Sequence, residues 1–283
     1  MTRILACVDG SVYTQSVCDH AAWAAERTGD AVELLHVLGR RDVSSAPADL
    51  SGSLSADDRQ KLLAEFTAHD EQRAKLMQVR GRSILEEAKA RIQAAGQDAQ
   101  GLLRQGDLVE TLAEFEAEAR LVVIGKRGEA ADFARLHLGS NLERAVRSSH
   151  KPVLVASRAF RPVNRFLIAF DGGPSATKAV DIIAQGPLLR GIECHLLMVG
   201  SPKPQAEAAL DAAAARLREA GYPVHAETRP GHAEEVIAAY VEQAGIDLLV
   251  MGAYGHSRIR NLIIGSTTTA MVRACKVPVL MIR

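Results

Sequence analysis

The sequence predicts an α/β protein built from two doubly wound, five-stranded parallel sheets. Its 283 residues are 47% hydrophobic but only 4% aromatic, so we expect a core of Ala, Val, Leu and Ile, as in buried parallel strands covered by Ala-rich helices. Apolar runs alternate with helical stretches along the chain. The chain also repeats itself, because residues 3–11 and 165–173 both read as an apolar strand that ends in an acidic turn.

In chain order, each predicted strand is a short apolar run bounded by charged residues, Gly or Pro, and each predicted helix is a longer stretch between two such runs. The first copy is predicted to have strands at 3–8, 31–38, 99–104, 120–125 and 152–157, and helices at 12–28, within 56–95, at 107–119 and at 139–149. The second is predicted to have strands at 165–170, 192–199, 223–229, 247–252 and 277–282, and helices at 175–189, 204–220, 232–244 and 265–275. Strands joined through helices imply right-handed crossovers and a parallel sheet.

The two copies differ in length after their second strands. Asp9 and Asp171 lie 162 positions apart, whereas Gly125 and Gly252 lie 127 apart, so the first copy has 35 extra residues. A Ser- and Asp-rich loop followed by an amphipathic segment accounts for them, and we expect a helical insertion rather than an added strand. Its apolar positions are Leu62, Leu63, Phe66, Leu76 and Met77. Such a helix could cover a crevice or a partner surface.

Two domains are expected from the repeat. The charged, Pro-containing stretch 156–164 interrupts two strands and separates a first domain, 1–158, from a second, 164–283. The helical insertion falls at about 40–80 of the first domain.

Charge and cysteine usage exclude several classes of protein. Thirty-four Lys and Arg balance thirty-four Asp and Glu, so neither a nucleic-acid partner nor an anionic membrane surface is expected. No apolar run approaches the roughly 18–20 residues of a membrane span, and Asp9 interrupts any signal-peptide core, which predicts a cytoplasmic protein. The cysteines show no metal or disulfide spacing and read as reduced packing residues: Cys7, Cys18, Cys194 and Cys275. His36 and His195, on strands, read as core residues rather than ligands.

Candidate functional residues cluster where strands end. In open α/β sheets, ligands bind beyond the carboxyl ends of the strands, where the strand order reverses. Asp9 and Asp171 close the first strands, and paired glycines close the fourth. Glycine lets a backbone approach a ligand closely, and the Gly-Ser helix start that follows favours an anion such as phosphate. The alternatives are that the aspartates cap helices and that the glycines only turn the chain.

Basic residues in the two glycine loops could add positive charge beside a phosphate, although solvation at the surface is the commoner role of such side chains. They are Lys126, Arg127, Arg135 and His137 in the first loop, and His256, Arg258 and Arg260 in the second.

At these residues the chain resembles the universal stress protein family in its tandem form. Residues 252–267 match the motif G-x2-G-x9-G-S/T of the ATP-binding members without a gap. The resemblance implies strand order 3-2-1-4-5, adenine near the end of strand two, and phosphates on the glycine loop and the Gly-Ser turn. In the second copy the implied site is Ala169, Asp171, Val199, Met251, Gly252, Gly255, Gly265, Ser266 and Thr267. In the first copy it is Cys7, Asp9, Val37, Ile124, Gly125, Gly128, Gly139, Ser140 and Asn141.

The two implied sites are not equal. Cys7 and Ala169 stand where the family often has Pro, and the first loop is one residue longer than the motif. The second copy is therefore expected to bind ATP more tightly. Asp171 could also help to hold Mg²⁺ or the ribose.

The resemblance implies an ATP-binding, stress-response regulatory protein whose nucleotide tunes conformation or the choice of an unidentified protein partner. No Walker lysine or phosphate clamp appears, so slow ATP hydrolysis is the most catalysis that we expect. An adenylating ligase would need an SGGxDS-like loop, whereas the chain has VDGSVY and FDGGPS. A nucleotide-free interaction scaffold is the other alternative.

The last strand of each copy would leave an exposed edge, so we expect residues 151–156 and 277–282 to pair and form a pseudo-twofold internal dimer. A homodimer of the whole chain is left open.

Overall fold

The computed structural model describes residues 2–39, 56–128, 140–253 and 275–283. Within these ranges the strands form one sheet of ten, in the order β3-β2-β1-β4-β5-β10-β9-β6-β7-β8. Each half has the predicted order 3-2-1-4-5 and is parallel throughout. The prediction of α/β architecture is confirmed.

The elements follow the predicted alternation along the chain. The strands are β1 Arg3–Cys7, β2 Ala31–Leu38, β3 Ala99–Gln105, β4 Ala119–Gly125, β5 Val153–Ala156, β6 Arg165–Ala169, β7 Glu193–Val199, β8 Val224–Arg229, β9 Leu248–Gly252 and β10 Val279–Ile282. The helices are α1 Thr14–Thr28, α2 Ala56–Ala94, α3 Leu108–Phe115, α4 Ser140–Ser148, α5 Pro174–Gln185, α6 Pro204–Glu219 and α7 Ala233–Gln243, with a 3-10 turn at Glu116–Glu118.

Helices cover both faces of the sheet. Alternate strand residues point to opposite faces, so Ile4 and Leu5 lie in two different cores. Helices α1, α2, α5 and α6 pack on the first core, and α3, α4 and α7 on the second. Within each half the chain changes face once, after β3 in the first and after β8 in the second, and the strand order reverses beside β1 and β6 respectively.

The two halves join at their last strands. Strand β10 pairs antiparallel with β5, and Leu280 lies opposite Leu154. Both leucines are almost completely buried. The prediction that these strands pair is confirmed, and the pairing joins the two five-stranded sheets into one continuous sheet and protects both edges from water.

Helix α1 also contacts the second half. Arg27 donates from Nε to the Leu188 carbonyl oxygen at 3.0 Å and from a guanidinium nitrogen to the Arg190 carbonyl. Phe160, in the segment between the halves, packs edge-on against the His20 ring, with centroids 5.0 Å apart. The halves thus share contacts outside the sheet as well.

The insertion is helical, as predicted, and the described part is a single helix, α2, of 39 residues. Leu85 and Ile92, near its carboxyl end, are buried, whereas Phe66 and Leu76 are exposed. Met77 is half-buried, and the Leu62 and Leu63 side chains lie outside the described part. The first part of α2 therefore contributes little to the core.

Two predicted helices end about four residues early: the helix predicted at 107–119 ends at Phe115 and is followed by the 3-10 turn, and α5 is also shorter than predicted. Helix α5 was predicted to reach residue 189 but ends at Gln185, because Gly186 and Pro187 cannot continue it. The predicted helix at 265–275 lies outside the described residues except for its last position. In the part of the chain that is described, no helix is both long and apolar enough to cross a membrane.

Candidate functional site

An acidic turn follows the first strand of each half. Asp9 Oδ1 accepts a hydrogen bond from the Ser11 backbone N–H at 3.0 Å, and Asp171 Oδ1 accepts one from the Gly173 N–H at 2.8 Å. The glycine after each aspartate has a positive φ, +76° at residue 10 and +74° at residue 172. The two copies therefore fold into the same Asx-type turn, which glycine permits at low cost.

The aspartates are not the N-cap residues of the helices that follow. Tyr13 is the N-cap of α1, Gly173 is the N-cap of α5, and neither supplies a side-chain cap. The capping alternative is therefore wrong in its strict form, since each carboxylate stabilises the turn and not the first turn of the helix. The N-terminus of each helix, with its positive end of the backbone dipole, faces the same edge of the sheet as the turn.

A glycine at the end of the fourth strand lets this helix start lie directly against the sheet. A Cβ on Gly252 would lie 2.8 Å from the Ser175 Cβ and 3.0 Å from the Ala176 backbone nitrogen. On Gly125, it would lie 2.8 Å from the Tyr13 Cβ. Distances this short leave no room for a side chain at either position, so these glycines allow the ends of the first and fourth strands, and the helix start between them, to lie close together.

Tyr13 and Ser175 were missed in the sequence analysis. Each lies four residues after the acidic residue of its copy, at the 162-residue offset that relates the two aspartates. Aligning the repeats would have identified the position, but no property of tyrosine or serine indicates that its Cβ must touch a glycine.

The hydrophobic residues predicted for the site fall into two groups. Cys7 and Ala169 at the ends of the first strands, with Val37 and Val199 at the ends of the second, are half-buried and border the crevice. The side chains of the other two are only 6% exposed and belong to the core, so only their backbone could contact a ligand; they are Ile124 and Met251.

The described start of the first glycine loop, residues 125–128, makes contacts within the protein. A Cβ on Gly128 would lie 2.8 Å from Asp9 Oδ2, so the loop packs against the acidic turn. Lys126, which could add charge beside a phosphate, donates from its ammonium to the Cys275 carbonyl in the second half in this structure. Burial lowers the pKa of this lysine.

The remaining predicted residues of the glycine loops lie outside the described part of the chain: Gly139, Gly255, Gly265, Ser266 and Thr267, with the basic residues Arg135, His137, His256, Arg258 and Arg260. Helix α4 begins at Ser140, whose side chain is not described, and Asn141 is exposed.

Cysteines and strand histidines have the structural roles predicted for them. All four cysteines are free, and all but Cys7 are buried. Burial and the nearby Asp9 carboxylate raise the pKa of the Cys7 thiol to about 12, so it stays protonated and unreactive. His36 is buried and its Nδ1 donates to the Val8 carbonyl at 2.7 Å, while buried His195 bonds the Tyr240 hydroxyl.

Comparison with known proteins agrees with this repeated architecture. The model of the universal stress protein family matches residues 1–157 and again residues 162–283. The chain belongs to the universal stress protein family. The resemblance found in the sequence is thereby confirmed, and the two matches show a tandem arrangement.

Individual family members match over different lengths. A universal stress protein of Synechocystis is 38% identical over 287 aligned positions, which cover 100% of both chains. One from Mycobacterium tuberculosis is 29% identical over 196 residues, or 66% of this chain and 59% of that one.

Solved structures share the fold. A universal stress protein from Archaeoglobus fulgidus superposes with a TM-score of 0.72 at 21% identity, covering 99% of this chain and 97% of that one. A Pseudomonas aeruginosa protein described as functionally unknown has a TM-score of 0.61 at 17% identity, with coverage of 99% and 92%. The tandem universal stress protein architecture is thus common to chains of very different sequence.

Proposed function

We propose that this universal stress protein binds an adenine nucleotide, ATP, in the crevice of its second half and acts as a stress-response regulator through it. The observation that supports this most directly is the geometry around Asp171. Its carboxylate is exposed, a Cβ on the neighbouring Gly172 would have no atom of the described residues within 4 Å, and the N-terminus of α5 lies against Gly252. These features meet where the strand order reverses, which is where ligands bind in open α/β sheets.

The chemistry of these groups fits a nucleotide. The positive end of α5 and the backbone N–H groups of the Gly-Ser turn at residues 265–266 would attract phosphates. The half-buried Ala169 and Val199 offer an apolar surface to a base. Bound ATP would supply three phosphates and, with Mg²⁺, a cation that the Asp171 carboxylate could help to hold.

We assign the protein a regulatory rather than an enzymatic role. The Asp171 carboxylate, the acidic group that we place at the crevice, already accepts a hydrogen bond through Oδ1 from its own turn, and the sequence has no Walker lysine. The nucleotide would therefore set conformation or the binding of a protein partner, with slow hydrolysis as the most that the site supports. We place this binding in the cytoplasm, where ATP is available.

The test asks whether the purified protein retains a bound adenine nucleotide. Native mass spectrometry of the purified protein should show a bound adenine nucleotide, whereas its absence, with no binding on titration, would favour a scaffold that does not need ATP. Calorimetric titration of ATP into Gly265→Val should then show binding weakened by about ten- to a hundredfold or more, because one or two hydrogen bonds to charged oxygens are worth roughly 1.5–3 kcal/mol each.

The matched control is Gly139→Val, the equivalent change in the first half. It should leave the tight site intact. If instead Gly139→Val abolishes tight binding and Gly265→Val does not, the assignment of the nucleotide to the second half is wrong.

A further inference from the structure

The acidic turns of the two halves differ in what lies above them. A Cβ on Gly10 would lie 2.8 Å from Ile84 Cδ1 and 3.8 Å from Arg80 Nη2, both on helix α2. A Cβ on Gly172, at the equivalent place, would have no described atom within 4 Å. The turn of the first half is therefore covered by the chain's own helix, and the turn of the second half is open in the part of the structure described.

The carboxylates of the two turns show the same difference. Asp9 is half-buried and Oδ2 packs against Gly128, whereas Asp171 is exposed. The contact with Gly128 comes from the glycine loop of the first half, and its counterpart after Ala253 lies outside the described residues, so the difference that can be compared is the one above Gly10 and Gly172.

Helix α2 is fixed in this position by close packing. A Cβ on Gly81 would lie 2.8 Å from Leu103 Cδ1 and 2.9 Å from His36 Cδ2, so the helix backbone lies directly on β2 and β3. Arg91 also forms a two-pronged ion pair with Asp19 of α1, at 2.6 and 2.8 Å. The helix is thus held from two sides, and Arg80 and Ile84 lie within one turn of the tightest contact.

The equivalent helix of the second half has no such extension. Helix α6 has 16 residues against 39 in α2. A crossover helix begins near the carboxyl end of the strand before it, so the turns of α2 before Gly81 extend past the carboxyl edge of the sheet. At about 1.5 Å per residue, residues 56–80 reach roughly 37 Å beyond the packed part.

We propose that α2 is a built-in cover that keeps nucleotide out of the first crevice, so that each chain binds one nucleotide, in its second half. This inference rests on the proposed function for the location and nature of the ligand. Ile84 fills the space above the first acidic turn, and the Arg80 guanidinium lies beside it. Helix α6 has Gln205 and Ala209 at the positions equivalent to Arg80 and Ile84, so the two halves differ in the side chains that reach the turn.

The test is the number of ATP molecules bound per chain, measured by calorimetric titration. The wild-type protein should bind one, and the double variant Arg80→Ala/Ile84→Ala should bind two, because the side chains over the first turn are removed. The control is Leu76→Ala/Val79→Ala on the same helix, whose side chains are 59% and 64% exposed. It should still bind one.

Each outcome bears on one of the two proposals. Two molecules bound to the wild type would overturn the cover and leave nucleotide binding standing. A folded Arg80→Ala/Ile84→Ala variant that still binds one would also overturn it. If the wild type binds no ATP, the proposed function fails. The double variant then still tests the cover: binding of one ATP supports it, and binding of none overturns it.

Hydrogen exchange on the wild-type protein keeps the inference testable if the double variant does not fold. ATP should slow exchange of backbone amides in residues 171–177 and leave those in residues 9–15 unchanged. Equal protection of both segments would refute the cover.

Discussion

The glycine that ends β9 offers a direct test of how the crevice is built. Gly252→Ala would place a Cβ 2.8 Å from the Ser175 Cβ, 3.0 Å from the Ala176 nitrogen and 3.1 Å from the Ser175 carbonyl carbon. Carbon atoms pack best at about 3.5–4.0 Å. Because two of the three neighbours are backbone atoms, rotation of a side chain cannot relieve the overlap, and the start of α5 must move by roughly 1 Å.

This overlap should cost about 1–3 kcal/mol of unfolding free energy, the usual range for overpacking. At roughly 2–4 °C per kcal/mol for a chain of this order of size, the melting temperature should fall by about 2–12 °C. The same movement displaces the helix N-terminus from the acidic turn. Loss of one hydrogen bond to a phosphate, about 1.5–3 kcal/mol, would weaken ATP binding at least about tenfold.

Thermal unfolding followed by circular dichroism, together with ATP titration, measures both effects. The control is Gly101→Ala in β3, where the nearest atom to the new Cβ is Leu85 Cβ at an ordinary 3.4 Å. It should be neutral, or up to about 1 kcal/mol more stable, since alanine restricts the unfolded chain. If Gly252→Ala melts and binds ATP like the wild type, close helix packing is not the reason for this glycine.

Two further predictions concern stability. Deleting residues 45–75 should leave a folded protein with a cooperative melting transition, because Gly81, Leu85 and Ile92, where α2 packs, are retained; a largely unfolded circular dichroism spectrum would show that the deleted segment belongs to the core. Burial lowers the pKa of His20, whose Nδ1 lies 2.6 Å from the Ser16 carbonyl oxygen, so the folded protein favours the neutral ring. The unfolded chain takes up a proton as pH falls below about 6.5 and the folded one does not, so this contribution is complete above that pH and is lost on acidification. Between pH 7.5 and 5.5 the melting temperature of His20→Leu should therefore fall less than that of the wild type. An equal fall in both proteins would contradict this role.

Much of the fold could be predicted because it depends on local pattern and on the repeat. Short apolar runs between helical stretches fixed the strands to within a few residues, and the duplicated acidic turn identified equivalent positions. The pairing of β5 with β10 was predictable because each would otherwise be an unprotected edge. Continuity of the sheet follows from that pairing, because β5 and β10 belong to different copies.

The site was less predictable because contacts between distant segments decide it. Lys126 lies in a glycine loop, where it could add charge beside a phosphate or be solvated, but its ammonium donates to the Cys275 carbonyl across the junction of the halves. Ile84 lies 74 positions after Gly10 and nevertheless contacts it. Such a contact depends on where a long helix lies on the sheet, and neither hydrophobic periodicity nor residue type encodes that position.

The junction of β5 with β10 has a consequence for how the protein behaves on dilution. Only the segment between Ala156 and Arg165 joins β5 to the next half, so the two halves remain tethered by a short link. A tether of that kind holds its ends at an effective concentration of the order of millimolar. The contact between the two sheets therefore persists however scarce the protein becomes, whereas a pair of separate single-domain chains would dissociate below its Kd.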